Sequence, residues 1–247
     1  MLPPALTTSY AQRIEPSAMP ERMDGETSFE LFDATLKSLA SVNVVSLGYR
    51  PITGFLARYL KLRPPTEKLH IVDIGSGHGD GLRRAAEFLD KHGVAATLSG
   101  VDMNPHAAAS ASKIETQYTH VDIEWITADV FDYIENAPPP DIVMSSLFCH
   151  HLDSDDIPPF LSWMDRTAKK GWLINDLYRS RLASCGFFAL AHLSLRHPVV
   201  RHDGPVSFAR SFRRPEWQRF LSEAGVTDAR IGMGAPFRLC IEKIRAP

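Results

Sequence analysis

Apolar and polar positions along the chain follow two alternating rhythms. From Gly25 onward, Phe29, Phe32, Leu36 and Leu39 recur at three- and four-residue spacing, the period of a helix with one buried face. A second helix is predicted over Ile52 to Leu60, stopped at Pro64-Pro65. The rhythm then shortens. Leu69–Ile74 is an apolar run ending in glycines, followed by a helical face of Leu82, Ala85, Ala86 and Leu89 that closes at Gly93. The pair repeats: strand Thr97–Val101 and a helix from Pro105 to about Thr116, strand Ile123–Thr127, and the run Ile142–Met144 after Pro138-Pro139-Pro140. A helix around Phe160–Thr167 leads to strand Trp172–Leu177. Strands alternating with helices predict βαβ units and a parallel, doubly wound sheet.

After Leu177 the alternation breaks. Residues 178–212 read as one or two helices and a loop, an insertion placed to cap a site. Pro215–Ala224 restores a helix through Trp217, Phe220 and Leu221, closed by Gly225. Two strand-like segments follow, Thr227–Ile231 and Phe237–Ile244, with "GMGAP" between them as a hairpin connection, so the last strand is expected antiparallel. Residues 1–22 carry four prolines and little periodicity and read as an irregular or mobile arm. The expected fold is therefore α/β: a Rossmann-like, doubly wound, mostly parallel seven-stranded sheet with an antiparallel last strand. Residues 1–66 form an arm and helical cap, and residues 67–247 the main domain with its insertion at 178–212.

Composition narrows the classes without naming one. With 44% apolar and 23% charged residues over 247, the chain is an ordinary globular protein. A net charge of -2 gives no broad attraction to polyanions, and no nucleic-acid partner is expected. Cys149, Cys185 and Cys240 are isolated and odd in number, as small buried hydrophobes in a reducing compartment would be. The longest apolar stretch, Cys185 to Leu195, is about half of a membrane span. The opening "MLPPALTTSYAQRIEP" lacks the pattern of a secretory signal, so a cytoplasmic location and no membrane insertion are expected.

The strongest chemical signal is "HIVDIGSGHGD", His70 to Asp80. A strand runs into Gly75, Ser76, Gly77 and Gly79 and a helix follows at once. Glycines allow a tight turn and let the backbone approach a ligand, while the amides at the helix start suit a carboxylate or phosphate. A dinucleotide fingerprint reads G-x-G-x-x-G; here the run is G-x-G-x-G, with Asp80 where the third glycine would stand. Asp73 lies two residues ahead of Gly75. The second strand ends in "GVDMNP", placing Asp102 just over ~20 residues beyond the glycines, where an acid can hold a ribose diol or cap the next helix. The third strand leads to Asp129 in "ITADVFDY", and the fourth to "DIVMSSLFCHHLD". All four tips meet in one crevice in a sheet of this kind.

On the stretches "VDIGSGHGD", "GVDMNP", "TADVFD", "PDIVMSSLFCHHLD" and "GWLINDLYRS", the chain resembles class I S-adenosylmethionine-dependent methyltransferases over Leu69 to about Ile244. "HHL" after the fourth strand, with "RMDG", "NDLYRSRLA", "VRHDGPVSFARSF" and "WQRFLSEAG", is similar to quinone- and polyketide-biosynthesis small-molecule methyltransferases. The resemblance implies S-adenosylmethionine as cofactor and a small, apolar or aromatic metabolite as substrate, with O-methylation ahead of C-methylation. It also implies that the glycines pass the amino-acid end of the cofactor and that Asp73 lies near its ammonium. Asp102 would hold the ribose, Met103, Asp129 and Val130 flank the adenine, and Ser145 and Leu147 lie under the methyl donor. His78 departs from the small residue many relatives carry, and is expected to reach the methionine carboxylate or face solvent.

No metal is expected, because the histidines show no ligand spacing with cysteines or acids. A general base, if used, should be His151 or His150, with His202 as the outside candidate; the alternative for "HHL" is capping of the next helix. Tyr178, Arg179 and Phe32 are candidate substrate contacts. Phe29, Leu36, Phe187, Phe188, Leu190, Leu193 and Leu195 could complete an apolar chamber or be ordinary packing faces. A protein or nucleic-acid methyltransferase stays open as an alternative, as do a nicotinamide oxidoreductase and a non-catalytic binding module. Monomer and homodimer are equally compatible with the sequence.

Overall fold

The computed structural model describes residues 4–136, 138–193, 197–234 and 236–246. Seven strands run in chain order: β1 Leu69–Ile74, β2 Ala96–Asp102, β3 Val121–Thr127, β4 Ile142–Ser146, β5 Gly171–Leu177, β6 Arg230–Gly234 and β7 Arg238–Ile244. They form one sheet in the order β3-β2-β1-β4-β5-β7-β6. β1 to β5 are parallel, and β7 is antiparallel to both β5 and β6. This is the expected Rossmann-like, doubly wound arrangement, and its strand order reverses between β1 and β4.

Nine α-helices are described: α1 Phe29–Val45, α2 Arg50–Leu62, α3 Asp80–Lys91, α4 Pro105–Ser112, α5 Val130–Asn136, α6 Ile157–Thr167, α7 Arg181–Leu193, α8 Pro198–Arg210 and α9 Arg214–Glu223. Their starts follow ordinary capping chemistry. The Ser28 hydroxyl accepts the amide of Leu31, and Asn104 caps α4 ahead of Pro105. The sequence reading lacked α5, although Asp129 accepts the amide of Phe131 at its start. The reading also misplaced β6. Gly232 and Gly234 lie within the strand, paired with Cys240 and Arg238, and are not part of the hairpin connection.

Alternate residues of β1 feed opposite faces of the sheet. Leu69 and Ile71 join Ile52, Phe55, Leu56 and Tyr59 of α2 and Leu82, Ala85 and Leu89 of α3. Val72 and Ile74 join Phe160, Leu161 and Met164 of α6, with Trp172, Trp217 and Phe220. The boundary at residue 66 therefore marks a change of sequence pattern, while the packing of α2 continues straight into the sheet.

The N-terminal arm is not loose. Ala5 and Tyr10 pack with Ala183, Val206, Phe208 and Ala209 of α7 and α8. The Tyr10 hydroxyl donates to Ser184 Oγ at 2.7 Å, and the amide of Ile14 donates to the carbonyl of Ala209. The arm is irregular, with single 3₁₀ turns at Pro4–Thr7 and Arg22–Asp24, because prolines suppress periodicity without preventing packing. Cys149 is buried as expected, but Cys185 is exposed on α7.

Candidate functional site

A cavity of about 990 Å³ opens over the C-terminal ends of β1, β2 and β4, roofed by the arm, α1 and α8. Its floor is the glycine loop. Gly75, Gly77 and Gly79 all have positive φ, at 71°, 51° and 73°, which L side chains resist. A Cβ at Gly75 would stand 2.4 Å from Phe148, and one at Gly79 2.1 Å from Trp125. At Gly77 the nearest atom to such a Cβ is Leu36 Cδ1 at 3.6 Å, an ordinary contact, so this glycine alone of the three is not closed over by an aromatic ring. The amides of Gly75 and Ser76 donate to the carbonyl of Val101, tying the loop to β2.

Asp102 completes that tie. Its Oδ2 accepts the amide of Gly77 at 2.8 Å and its Oδ1 the amide of Asn104 at 2.9 Å. Burial raises its pKa while these two hydrogen bonds oppose the shift. Asn104, not Asp102, is the side-chain cap of α4. Asp73 is 3% exposed, and its Oδ1 has no partner. Burial, with Asp80 and Asp102 nearby, pushes its carboxyl well above the usual range. An orphaned carboxylate oxygen beside a cradle that a Cβ would fill fits a ligand carrying a cationic group. Met103, Asp129, Val130 and Leu147 also line the cavity, and Met103 is largely exposed. Leu147 holds φ 58° with its amide bonded to the carbonyl of Asn175, an unusual conformation at the tip of β4.

The opposite wall carries charge. His151 Nδ1 bonds Asp24 Oδ1 at 2.9 Å, and Asp24 Oδ2 accepts Arg210 Nη1 at 2.6 Å. Burial works against a charged His151, but Glu21 and Asp24 outweigh it and raise its pKa. His150 turns away behind this wall. It is 3% exposed, with Nδ1 2.7 Å from Asp176 Oδ1 and Nε2 3.7 Å from Glu21 Oε1. The arm is held here by Asp203, which accepts the amides of Arg22 and Met23, and by Ser207, which donates to Glu21 Oε1.

Several expected site residues stand elsewhere. Arg179 is buried under the arm, donating to Tyr10 O and Ser211 O and paired with Glu216 at 2.9 Å. Tyr178 packs into the core below α6 and α9 and bridges to Phe212. Neither lines the cavity, because the chain leaving β5 runs under α8. Ser145 is buried, donating to Ile74 O, while its neighbour Ser146 lines the cavity. His202 is not among the lining residues and bonds Asp203, which is. His78 neither faces solvent nor points freely into the cavity. It donates through Nδ1 to Ser110 Oγ at 2.8 Å, and that hydroxyl donates to Asp33.

The apolar chamber is also differently built. Phe32, Leu36 and Leu39 of α1 line it, but Phe29 sets its ring against His106. Phe187 packs on Gly204 and Phe208, Leu190 is 42% and Leu193 85% exposed, and Phe188 lies tilted against His192. Leu195 lies outside the described residues.

Sequence reasoning missed Glu21, Asp24, Asp203, Ser207 and Arg210. "RMDG" and "VRHDGPVSFARSF", which helped carry the family resemblance, contain all but Glu21, but nothing local showed that the two segments meet. The histidines show no metal-ligand spacing along the chain, yet the fold brings one acid and two of them together. Glu21, His150 and His151 each offer one ligand atom within 4.8 Å of the others. Arg210 Nη1, 3.6 Å from Glu21 Oε1, supplies a cation there already.

Residues 71–171 match the family model described as a methyltransferase domain. No curated protein matches the chain by sequence. Among solved structures, the plantazolicin methyltransferase BpumL in complex with SAH is similar, with TM-score 0.63 at 16% identity over 89% of this chain and 96% of that one. The magnesium protoporphyrin IX methyltransferase ChlM from Synechocystis, with bound SAH, is similar at TM-score 0.53 and 15% identity, covering 90% of each chain. Human N-acetylserotonin methyltransferase in complex with SAM aligns at TM-score 0.58 and 14% identity, over 89% of this chain and 57% of that one. At such identities the likeness establishes the fold, which is that of the class I methyltransferases. No helix among the described residues is long and apolar enough to cross a membrane.

Proposed function

We propose that this chain, with its class I methyltransferase fold and its methyltransferase-domain match, is an S-adenosylmethionine-dependent enzyme that methylates a hydroxyl of a small, apolar or aromatic metabolite. One observation carries the reading: a single cavity joins the glycine loop and Asp102 at one end to His151 at the other. At about 990 Å³ it is at the upper end of ligand sites, with room for a nucleoside cofactor and a second small molecule. Phe32, Leu36, Leu39, Phe131 and Leu152 supply its apolar lining, which supports an apolar acceptor.

Bound S-adenosylmethionine supplies a methyl group already activated by its sulfonium. The chain's part is then to position the acceptor, exclude water and take one proton. Asp102 keeps lone pairs beyond its two amide contacts and is assigned to the ribose hydroxyls. Asp73 is assigned to the ammonium group, and Met103, Asp129 and Val130 to the adenine. His151 is assigned as base. Asp24 holds its Nδ1 and leaves Nε2 as the basic nitrogen, so the acceptor oxygen gains a methyl as its proton passes to His151.

Transfer of labelled methyl from S-adenosylmethionine to a panel of phenolic polyketides, alongside protein and nucleic-acid acceptors, tests the reading. Turnover on phenols together with calorimetric binding of S-adenosylhomocysteine is expected. Binding of NAD in its place, or labelling of the macromolecules alone, overturns it.

A further inference from the structure

Arg238 opens β7, paired with Leu177 at the C-terminal end of β5 and with Gly234 of β6. It is 4% exposed and lines the cavity. Its Nη2 donates to Asn43 Oδ1 at 2.8 Å, whereas its Nη1 has no partner. No carboxylate stands within ion-pairing distance of it among the described residues. The two acids that act on it from further off are already engaged. Asp176 accepts from His150, and Asp80 accepts the Tyr49 hydroxyl and Asn43 Nδ2.

The other buried arginines are supplied. Arg13 pairs with Glu15, Arg179 with Glu216, and Arg210 with Asp24. Arg83 gives its two terminal nitrogens to the carbonyls of His78 and Ala111. A buried guanidinium held by one neutral acceptor is costly, because its lost hydration is returned only in part. The fold keeps such a group where an incoming anion can complete it.

The location selects the anion. Asn43 touches both Arg238 and Asp80, and Asp80 directly follows Gly79 at the start of α3. Asp73, whose Oδ1 is likewise orphaned, also feels Asp80. The glycine-loop end of the cavity thus holds a guanidinium and a carboxyl, each with one buried atom unsatisfied. Their complement is an α-amino acid, with an ammonium for Asp73 and a carboxylate for Arg238.

We infer that Arg238, unpartnered at Nη1 and braced by Asn43 at the glycine-loop end of the cavity, receives the carboxylate of the cofactor's amino-acid end. The assignment rests on the methyltransferase reading above. A guanidinium fork binds a carboxylate with geometry as well as charge, which an ammonium does not reproduce. Carrying the receptor on β7 also ties cofactor affinity to the antiparallel hairpin at the sheet's edge.

Calorimetry with two ligands tests the assignment: S-adenosylhomocysteine, and 5′-methylthioadenosine, which keeps the nucleoside and sulfur but lacks the amino-acid end. Arg238→Gln should weaken S-adenosylhomocysteine about 10- to 100-fold and leave methylthioadenosine within about twofold. An unchanged S-adenosylhomocysteine affinity overturns the proposal. So does equal loss of both ligands, which marks Arg238 as a brace for the α1–α2 turn. If Arg238→Gln does not fold, Arg238→Lys carries the same comparison, with a smaller loss confined to S-adenosylhomocysteine. The wild-type protein gives an independent measure against decarboxylated S-adenosylhomocysteine, which should bind more weakly; equal binding overturns the proposal. A wild-type protein that binds none of these nucleosides overturns the methyltransferase reading itself, and this assignment with it.

Discussion

At one end of the cavity, Asp102 takes the amide of Gly77 from 25 residues away and that of Asn104 from two. At the other, His151 meets Asp24 across 127 residues, Arg210 meets Asp24 across 186, and Asp203 takes the amide of Arg22 across 181. The glycine-loop end is shaped by backbone, through the turn between β1 and α3 and the tip of β2, with Asp73, Asp102 and Arg238 set around it. The arm end is made of ionisable side chains from segments far apart in the chain. The first should therefore be intolerant of added volume, and the second tolerant of volume but sensitive to the charge state of His151 and Asp24.

The largest effect is expected where volume enters the backbone-built end. Gly77→Val places a branched side chain in the space above the loop and strains a residue at φ 51°. Binding of S-adenosylhomocysteine should be abolished while the melting transition persists. Retained binding would show that this glycine does not face the ligand.

Next comes His151. His151→Ala should lower kcat by ~10²-fold with cofactor affinity kept, and shared loss of both would blur the distinction between the two ends. The base works only when neutral, and Glu21 and Asp24 raise its pKa. The wild-type rate should therefore climb with pH through a midpoint above histidine's usual ~6.5. Stability runs the other way. A raised folded-state pKa makes the contribution of the His151–Asp24 pair full below ~6.5 and lost as pH rises through the raised value. Asp24, whose pKa is held down by His151 and Arg210 against its burial, loses its contribution as pH falls toward the acid range. Melting temperatures across pH check both limbs.

Asp102→Ala removes the acceptor of two amides and the assigned ribose contact, so cofactor binding should weaken by about 1.5–3 kcal/mol. Unchanged calorimetric affinity in a folded variant would take Asp102 out of the site. A milder change is expected from Asp203→Asn, which weakens the anchoring of Arg22 and Met23 by about 1 kcal/mol. Acceptor KM should rise with S-adenosylhomocysteine affinity unchanged, and equal shifts in both would show that the arm serves the whole cavity. Exhaustive chelation should change nothing. Arg210 already provides a cation beside Glu21, and a methyl on a sulfonium needs no Lewis acid. Loss of activity restored by a divalent ion would assign Glu21, His150 and His151 to metal binding.

Much of the glycine-loop end was legible in the sequence. Gly75, Gly77 and Gly79 are needed by the turn itself, and Asp102 stands at a strand tip that the alternation of apolar runs already located. The arm end was legible only as fragments. "HHL" announced two adjacent histidines but not their directions; the structure turns His150 toward Asp176 and leaves His151 against Asp24. Tyr178 and Arg179 followed a strand tip and looked available, yet the arm and α8 cover that exit. Arg238 gave no signal at all, since one arginine at the start of an apolar strand is unremarkable until Asn43 and Asp80 are seen beside it.

By itself the sequence determined the strand–helix alternation, the doubly wound sheet, the left-handed glycine turn and the acid at the second tip. Each of these depends on residues close enough in the chain for backbone geometry and hydrophobic periodicity to act directly. Only the tertiary structure decided which histidine meets the cavity, that a proline-rich arm forms its wall, and that an arginine of the last described strand stands unpaired beside the loop. Those outcomes depend on charges and packing surfaces from opposite ends of the chain. Their pairing exists only after the helices have settled on the sheet.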